Sequence, residues 1–427
     1  MNNPEAKRQI TGKITASPNP TCFGQRCVVS WNTNDPRGAE VRVSTGANEE
    51  KLVAQGGRSG QVEIPWIADL TVYEFRLYPA SRPDIAIDSV KARREIESAP
   101  AALREIADEV ARGNIDLAEV SRFIGAVMPV CLSSPLFRDL FREWERHGFH
   151  VTPVHFNQPI PDTRSLPETL WSQPSDLIGI DMNEPVQLEL LRSFSRFREE
   201  YQRFPTGPTE EQNRFYLGNG LFDGVDALVA YCMVRHFQPR LAIEVGSGFS
   251  SLVLGEATAK NGCAPLICVE PFPREFLRQG FPGLRTLIEK NVQQIDLEFF
   301  SQLESGDMLF IDSSHTVKIG GDVNYLFLEV LPRLNPGVIV HVHDIFLPFE
   351  YRRDWVLDEF RFWAEQYLLQ AFLTFNAEFE VLLANYYLSH NHEEDLQALF
   401  PHLHRWVGGS LWIRRRPAEK SIRGNLT

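Results

Sequence analysis

Two apolar runs in this 427-residue chain end in groups that could do chemistry. "MLFIDSSH" closes on Asp312, with His315 three residues further on, and "VIVHVHDIFLP" carries His341, His343 and Asp344 before it breaks at a proline. Carboxylates and imidazoles are costly to bury unless they are paired or used. If the two ends lie side by side, Asp312, His315 and Asp344 form a trio able to move a proton. Imidazole titrates near neutrality and can take a hydroxyl proton, while a carboxylate orients the ring. His341 reads instead as a strand histidine satisfied by a hydrogen bond, pointing to the face opposite His343.

A second group lies upstream in "AIEVGSGFSS". Gly246 and Gly248 permit a tight turn that a ligand can approach closely, Ser250 and Ser251 open the next helix, and Glu244 places a carboxylate in an apolar strand. Glu270, in "VEP", ends the following strand, where an α/β nucleotide site puts an acid against ribose hydroxyls. The third glycine of the pyrophosphate fingerprint is missing, so an adenosine ligand without phosphate fits better than a dinucleotide.

The elements needed to position these residues are legible. From about Phe222, "DGVDALVAYCMVRHF", "SSLVLGEATAKNG" and "GDVNYLFLEVLPRL" have helical character. "RLAIEVG", "PLICVEP", "DMLFIDSSH" and "GVIVHVHDI" read as strands between them. Such alternation predicts a mostly parallel sheet covered on both faces, with ligands at the carboxyl ends of its strands. "RRDWVLDEFRFWAEQYLLQAF" reads as one long helix whose Trp355, Phe360, Phe362 and Trp363 belong to the core.

With "EVGSGFSS", "VEP", "IDSSH" and "HDIFLP", the region from Phe222 to Arg416 resembles class I S-adenosylmethionine-dependent methyltransferases, in the branch of macrocin-type and cephalosporin-hydroxylase-like O-methyltransferases. The resemblance implies a Rossmann-like seven-stranded fold with the last strand, "GSLWIRR", antiparallel between its neighbours. It implies that Glu244, Gly246, Ser247, Gly248, Ser250 and Asp312 contact S-adenosylmethionine, with Glu270 on the ribose and Asn291 and Val292 near the adenine. Similar enzymes hold Mg²⁺ with an Asp-x-x-His at one tip and two acids at the next, and use the histidine as base. Here the second tip is His343-Asp344, so Asp312, His343 and Asp344 are the metal candidates and His315 the base. An imidazole in that set suits Zn, Mn or Fe better than Mg²⁺. The implied acceptor is a hydroxyl on a sugar, a glycan or a glycosylated metabolite.

The remaining chain gives a multidomain expectation. Residues 1–97 contain seven short alternating segments between turn residues and resemble an immunoglobulin- or fibronectin III-like β-sandwich. Residues 98–220 form a helical connector with a Pro-rich, lid-like stretch that supplies His155 and Asp162. Residues 221–427 are the catalytic domain, with Tyr216, Asn219, Phe222 and Asp223 at its entrance; Tyr216, Asn219 and His155 are the acceptor candidates. Hydrophobic residues make up 43% of the chain, and 43 basic against 56 acidic residues give a net charge of −13. That balance argues against nucleic-acid or anionic-membrane partners and leaves a small-molecule or glycan acceptor, with a homo-oligomer compatible. The absence of an apolar leader or a spanning run reads as cytoplasmic. Six cysteines without a CxxC pair give neither a disulfide framework nor a zinc site; Cys22 and Cys27 read as free thiols. Two rival functions are an NAD-dependent oxidoreductase and a non-catalytic glycan- or protein-binding module.

Overall fold

The computed structural model describes residues 10–19, 26–45, 50–64, 73–92, 109–133, 137–210, 213–262 and 266–417. The chain forms two compact units, residues 1–161 and 162–427. This division falls inside the stretch expected as a connector, so residues 162–220 pack with the unit that carries the α/β pattern.

All seven alternating segments of the first unit are strands. β1 (Gly12–Ser17), β2 (Cys27–Thr33) and β5 (Ser59–Ile64) pair antiparallel in the order β1-β2-β5. β3 (Ala39–Ser44), β4 (Lys51–Gly56), β6 (Tyr73–Pro79) and β7 (Asp88–Ala92) form a second antiparallel sheet in the order β4-β3-β6-β7. The inward positions alternate, as a half-buried strand requires, and Val29, Trp31, Val41, Phe75 and Leu77 from both sheets share one apolar cluster. Helices α1 (Leu117–Ser133) and α2 (Phe137–Arg146) follow. Cys22 and Cys263 lie outside the described residues; Cys27, Cys232 and Cys268 are buried thiols and Cys131 is half-buried.

The second unit is built on a seven-stranded sheet of β8 (Ala242–Val245), β9 (Leu266–Val269), β10 (Leu284–Ile288), β11 (Met308–Ile311), β12 (Ile339–Val342), β13 (Phe379–Ala384) and β14 (Leu411–Arg415). Its order is β10-β9-β8-β11-β12-β14-β13. All neighbours are parallel except β14, which runs antiparallel between β12 and β13, as the resemblance implied. Every residue of β8, β9, β11 and β12 is buried, because helices cover both faces. Successive residues of β11 serve opposite cores: Met308 and Phe310 join the cluster with α4 (Gly224–Phe237) and α5 (Phe249–Lys260), whereas Leu309 and Ile311 join the cluster with Leu369 and Leu373. Strand order reverses between β8 and β11, and it is at this switch point that a doubly wound sheet opens a crevice. A preceding helix, α3 (Glu184–Ser193), flanks β13 and bonds it through Gln187 Oε1, which accepts from the Ala384 amide at 2.8 Å.

The long helix expected over residues 352–372 is broken. α6 (Arg353–Leu357) and α7 (Glu365–Leu373) are separated by an irregular turn. Phe360 adopts a left-handed φ of 58°, and the amides of Ala364 and Glu365 donate to the carbonyl of His315 at 2.9 and 3.2 Å instead of to a preceding helical turn. The aromatic spacing is helical, but this tertiary bond redirects the chain. Phe360 is exposed rather than core, and Trp355, Phe362 and Trp363 lie half-buried beside Phe346 and Tyr351. The Pro-rich stretch after Asp162 packs on the same aromatic group through Leu166 and Trp171.

Candidate active site

Strand β8 delivers the chain into the glycine turn. Gly246 has φ 81°, and a Cβ there would lie 1.8 Å from the carbonyl oxygen of Asp312 on the neighbouring strand tip, so close approach of two backbones fixes this glycine. Gly248 is extended, and a Cβ would meet nothing within 4 Å; its missing side chain leaves open cleft. The turn is braced from beneath. Ser251 Oγ donates to Glu244 Oε2, and Gly248 N donates to Ser251 Oγ at 3.0 Å. Glu244 is fully buried, lines neither lobe of the cleft and meets the turn through Ser251. Burial, opposed by hydrogen bonds, pushes its carboxyl up to about 7.

Beyond the turn lies a cleft with two lobes that share Gly246, Glu270 and Asp312. The inner lobe, about 350 Å³, is lined by Asn291, Val292 and Ser313 among others, and the outer lobe, about 590 Å³, by Gly248, Ser250, His343 and Asp344 among others. Ser247 lines the outer lobe, and its amide donates to Glu270 Oε2 at 3.1 Å; Phe272 N donates to Glu270 Oε1 at 2.8 Å. Each Glu270 oxygen therefore keeps a lone pair for a hydroxyl. Ser313 Oγ in the inner lobe is buried with no partner among the described residues. An open Gly248, an acid with acceptor capacity to spare and an orphaned hydroxyl are what a nucleoside ligand needs, so the residues present fit adenosine.

At the tips of β11 and β12 the expected trio does come together. His315 Nε2 lies 3.4 Å from Asp312 Oδ1 and 3.5 Å from Asp344 Oδ2. His343 Nδ1 lies at the same distances from the same two oxygens, 3.4 and 3.5 Å. Two carboxylates thus sit between two imidazoles. Each imidazole has a further carboxylate behind it, and neither was read from the sequence. Glu365 Oε2 accepts from His315 Nδ1 at 2.8 Å, and Asp226 Oδ2 lies 3.7 Å from His343 Nε2. Burial would lower both histidines, but the surrounding carboxylates outweigh it, pushing His315 up to about 10 and raising His343 well above its ordinary value. Asp312, whose burial would raise it, is held well below the usual carboxylate range by the two rings. His315 (φ 56°) and Asp344 (φ 55°) both occupy the left-handed region, a strain that concentrates at functional sites.

The ligand atoms of Asp312, His315 and Asp344 lie within 4.8 Å of one another, a grouping able to hold a divalent cation. The set expected from the sequence had His343 in place of His315. His343 lines the outer lobe with Asp312 and Asp344, while His315 is packed under Trp363, ring centroids 4.4 Å apart. His341 is fully buried, stacked 3.6 Å from Phe310 and bonded through Nε2 to Ser410 Oγ at 3.0 Å. It is satisfied at Nε2 alone, since its buried Nδ1 has no hydrogen-bond partner among the described residues. Its direction differs from the expected one: His341 and His343 lie on one face with rings 5.8 Å apart, because residues two apart on a strand point the same way.

The acceptor candidates fare differently. Asn219 spends its amide on its own loop, donating to the carbonyls of Tyr216 and Phe222 and accepting from the amides of Leu221 and Phe222, and so shapes the outer lobe rather than facing it. The loop it holds sets Phe222 against His343, ring centroids 5.0 Å apart. Tyr216 packs edge-on against Phe249 at 5.6 Å. Asp223 caps α4, and Asp162 pairs with Arg164. His155 belongs to the first unit, where its ring lies tilted against Phe156, centroids 4.2 Å apart.

A glycine turn after the first strand, an acid after the second, a cleft at the switch point and an antiparallel penultimate strand define a methyltransferase domain. A family profile described as a methyltransferase domain matches residues 243–345, from β8 through the tip of β12, and the chain belongs to that family. An uncharacterized protein of Archaeoglobus fulgidus is 34% identical to it over 164 residues, which cover 36% of this chain and 73% of that protein. Among the described residues, no helix is long and apolar enough to cross a membrane.

Proposed function

We propose that the second unit transfers the methyl group of S-adenosylmethionine to a hydroxyl, as a class I enzyme of the macrocin and cephalosporin-hydroxylase-like branch. The acceptor proposed is a sugar, a glycan or a glycosylated metabolite. The observation that carries this reading is the two-lobed cleft at the switch point, with the Gly246–Gly248 turn and Glu270 in one wall and the carboxylate–imidazole cluster on the next two strand tips. S-adenosylmethionine supplies an electrophilic methyl carbon, and the protein's share is alignment of donor and acceptor and removal of the hydroxyl proton. Glu270 receives ribose hydroxyls, Asn291 and Val292 flank the adenine, and Gly248 lets the ligand approach the backbone. We assign the first unit, from its β1-β2-β5 and β4-β3-β6-β7 sheets and their shared core, to an immunoglobulin- or fibronectin III-like module.

His315 is the base in this reading, accepting the proton at Nε2. At rest that nitrogen carries a proton stabilised by Asp312, Asp344 and Glu365, so His315 acts as base only once that proton has left. A second reading is favoured by the 4.8 Å grouping: Asp312, His315 and Asp344 hold a divalent cation that lowers the pKa of a bound hydroxyl. The two readings exclude each other at one atom, since a ligating Nε2 cannot take a proton. Titration with S-adenosylhomocysteine by calorimetry, for the wild type and Glu270→Ala, with and without chelator, is the test. We expect micromolar binding that weakens at least tenfold in the variant, and no binding under any condition removes the methyltransferase reading; in an assay with S-adenosylmethionine and an acceptor that is methylated, turnover retained in chelator removes the cation.

A further inference from the structure

We propose that the acceptor carries an anionic group, a carboxylate or a phosphate, held by Arg352 and Arg361 at the rim of the outer lobe, with its reacting hydroxyl at the Asp312–Asp344 end. This rests on the methyltransferase reading above and narrows its acceptor class.

The outer lobe is polarised. Of its four acids, Glu270 and Asp312 are shared with the inner lobe, Asp344 lies beside Asp312 at the strand tips and Glu359 is paired with Arg361; its arginines, Arg274, Arg352 and Arg361, line the outer lobe alone. Arg352 lies 5.2 Å from the ring centroid of Trp355; Arg361 lies 4.6 Å from that of Trp355 and 5.1 Å from that of Trp363. Arg352 donates to Asp354 through Nε at 3.1 Å and through Nη2, and Arg361 Nη2 pairs with Glu359. Each guanidinium therefore has an aromatic ring against its face and a carboxylate on one edge, which leaves the remaining N–H groups for a ligand. A planar fork held this way is suited to bidentate recognition of carboxylate or phosphate, and its rotamer entropy is already spent. A neutral sugar would ask for free indole faces, and here Trp355 is flanked by two cations.

The rim is also mechanically joined to the cluster. Trp363 covers His315 and carries Arg361, and the two residues that follow Trp363, Ala364 and Glu365, donate their amides to the His315 carbonyl. An anion drawn to Arg361 thus loads the same turn that positions His315. The methionine carboxylate of the cofactor is the other source of such an anion. Arg274, 5.9 Å from the ring of Phe249, which follows the glycine turn at the start of α5, is the residue assigned to it.

The experiment titrates the full-length protein, saturated with S-adenosylhomocysteine, with glucuronate, glucose 6-phosphate and glucose at fixed ionic strength, for the wild type, Arg352→Gln/Arg361→Gln and Arg352→Lys/Arg361→Lys. Thermal midpoints verify that the variants fold. Expected is at least tenfold tighter binding of both anionic sugars than of glucose, lost by tenfold or more in the Gln pair and partly kept in the Lys pair, with S-adenosylhomocysteine affinity within twofold throughout. Glucose binding as tightly as the anions, or a Gln pair that loses S-adenosylhomocysteine affinity but not anion affinity, overturns the proposal. If the wild type does not bind S-adenosylhomocysteine, the methyltransferase reading fails by itself. The same sugars on the cofactor-free protein then decide the anion site separately, absence of any anion preference counting against it.

Discussion

Individual residues of the cleft have unequal protonation chemistry, and pH exposes it. Folded Glu244 keeps its proton up to about pH 7, whereas the unfolded carboxyl releases it near 4.5, so the folded state binds more protons between these values and loses stability as pH rises through them. Glu244→Gln removes that dependence. Urea denaturation should show the variant and the wild type alike at pH 5 and the variant more stable by about 3 kcal/mol at pH 8; an equal pH slope in both proteins would contradict buried, protonated Glu244. His315 is perturbed the other way. If it acts as a base without a cation, kcat/KM should climb with pH through a limb near 10, and Glu365→Gln, which removes the carboxylate behind Nδ1, should move that limb to lower pH. A limb unmoved by Glu365→Gln, together with loss of activity in chelator, assigns the atom to metal ligation. At this scale the sequence displayed Asp312, His315 and Asp344, because apolar runs seldom end in three ionisable groups. Glu365 and Asp226 escaped notice because each lies within a helix, where an acid ordinarily faces solvent; only the packing of those helices on the sheet aims them at histidines.

At the scale of elements, the β8–α5 turn separates two uses of glycine. Gly246→Ala places a Cβ on the Asp312 carbonyl at a left-handed φ and should cost about 3 kcal/mol or more, read as a lowered thermal midpoint. Gly248→Ala meets no protein atom and has an extended backbone, so the midpoint should stay within about 2 °C while S-adenosylhomocysteine affinity falls at least tenfold. A stable Gly246→Ala, or a Gly248→Ala that binds normally, would reverse those roles. The turn's glycines and the strand–helix alternation were visible as pattern. The break between α6 and α7 was not, since Trp355, Phe360, Phe362 and Trp363 fall at helical spacing and the cause of the break is a hydrogen bond to His315, a residue far away in the chain.

For the molecule as a whole, every residue lining the two lobes belongs to residues 162–427. Expressed alone, that segment should fold and bind S-adenosylhomocysteine within about threefold of the full chain, whereas a segment cut at residue 221 should not, having lost Gly220, α3 and the Leu166–Trp171 packing. Equal behaviour of the two segments would show that residues 162–220 are dispensable. From its sequence alone this chain determined the seven strands of the first unit, the α/β alternation of the second and the positions of the glycine turn, Glu270 and the two ionisable strand tips. All of these are set by local periodicity and by residues whose chemistry is out of place in an apolar run. Tertiary structure decided the rest: that residues 162–220 join the unit carrying the cleft, that Glu244 and Asn219 brace the loops around it, that both histidines are backed by distant carboxylates, and that Arg352 and Arg361 gather round Trp355. Each of those depends on contacts between segments far apart in the chain, which no local pattern encodes.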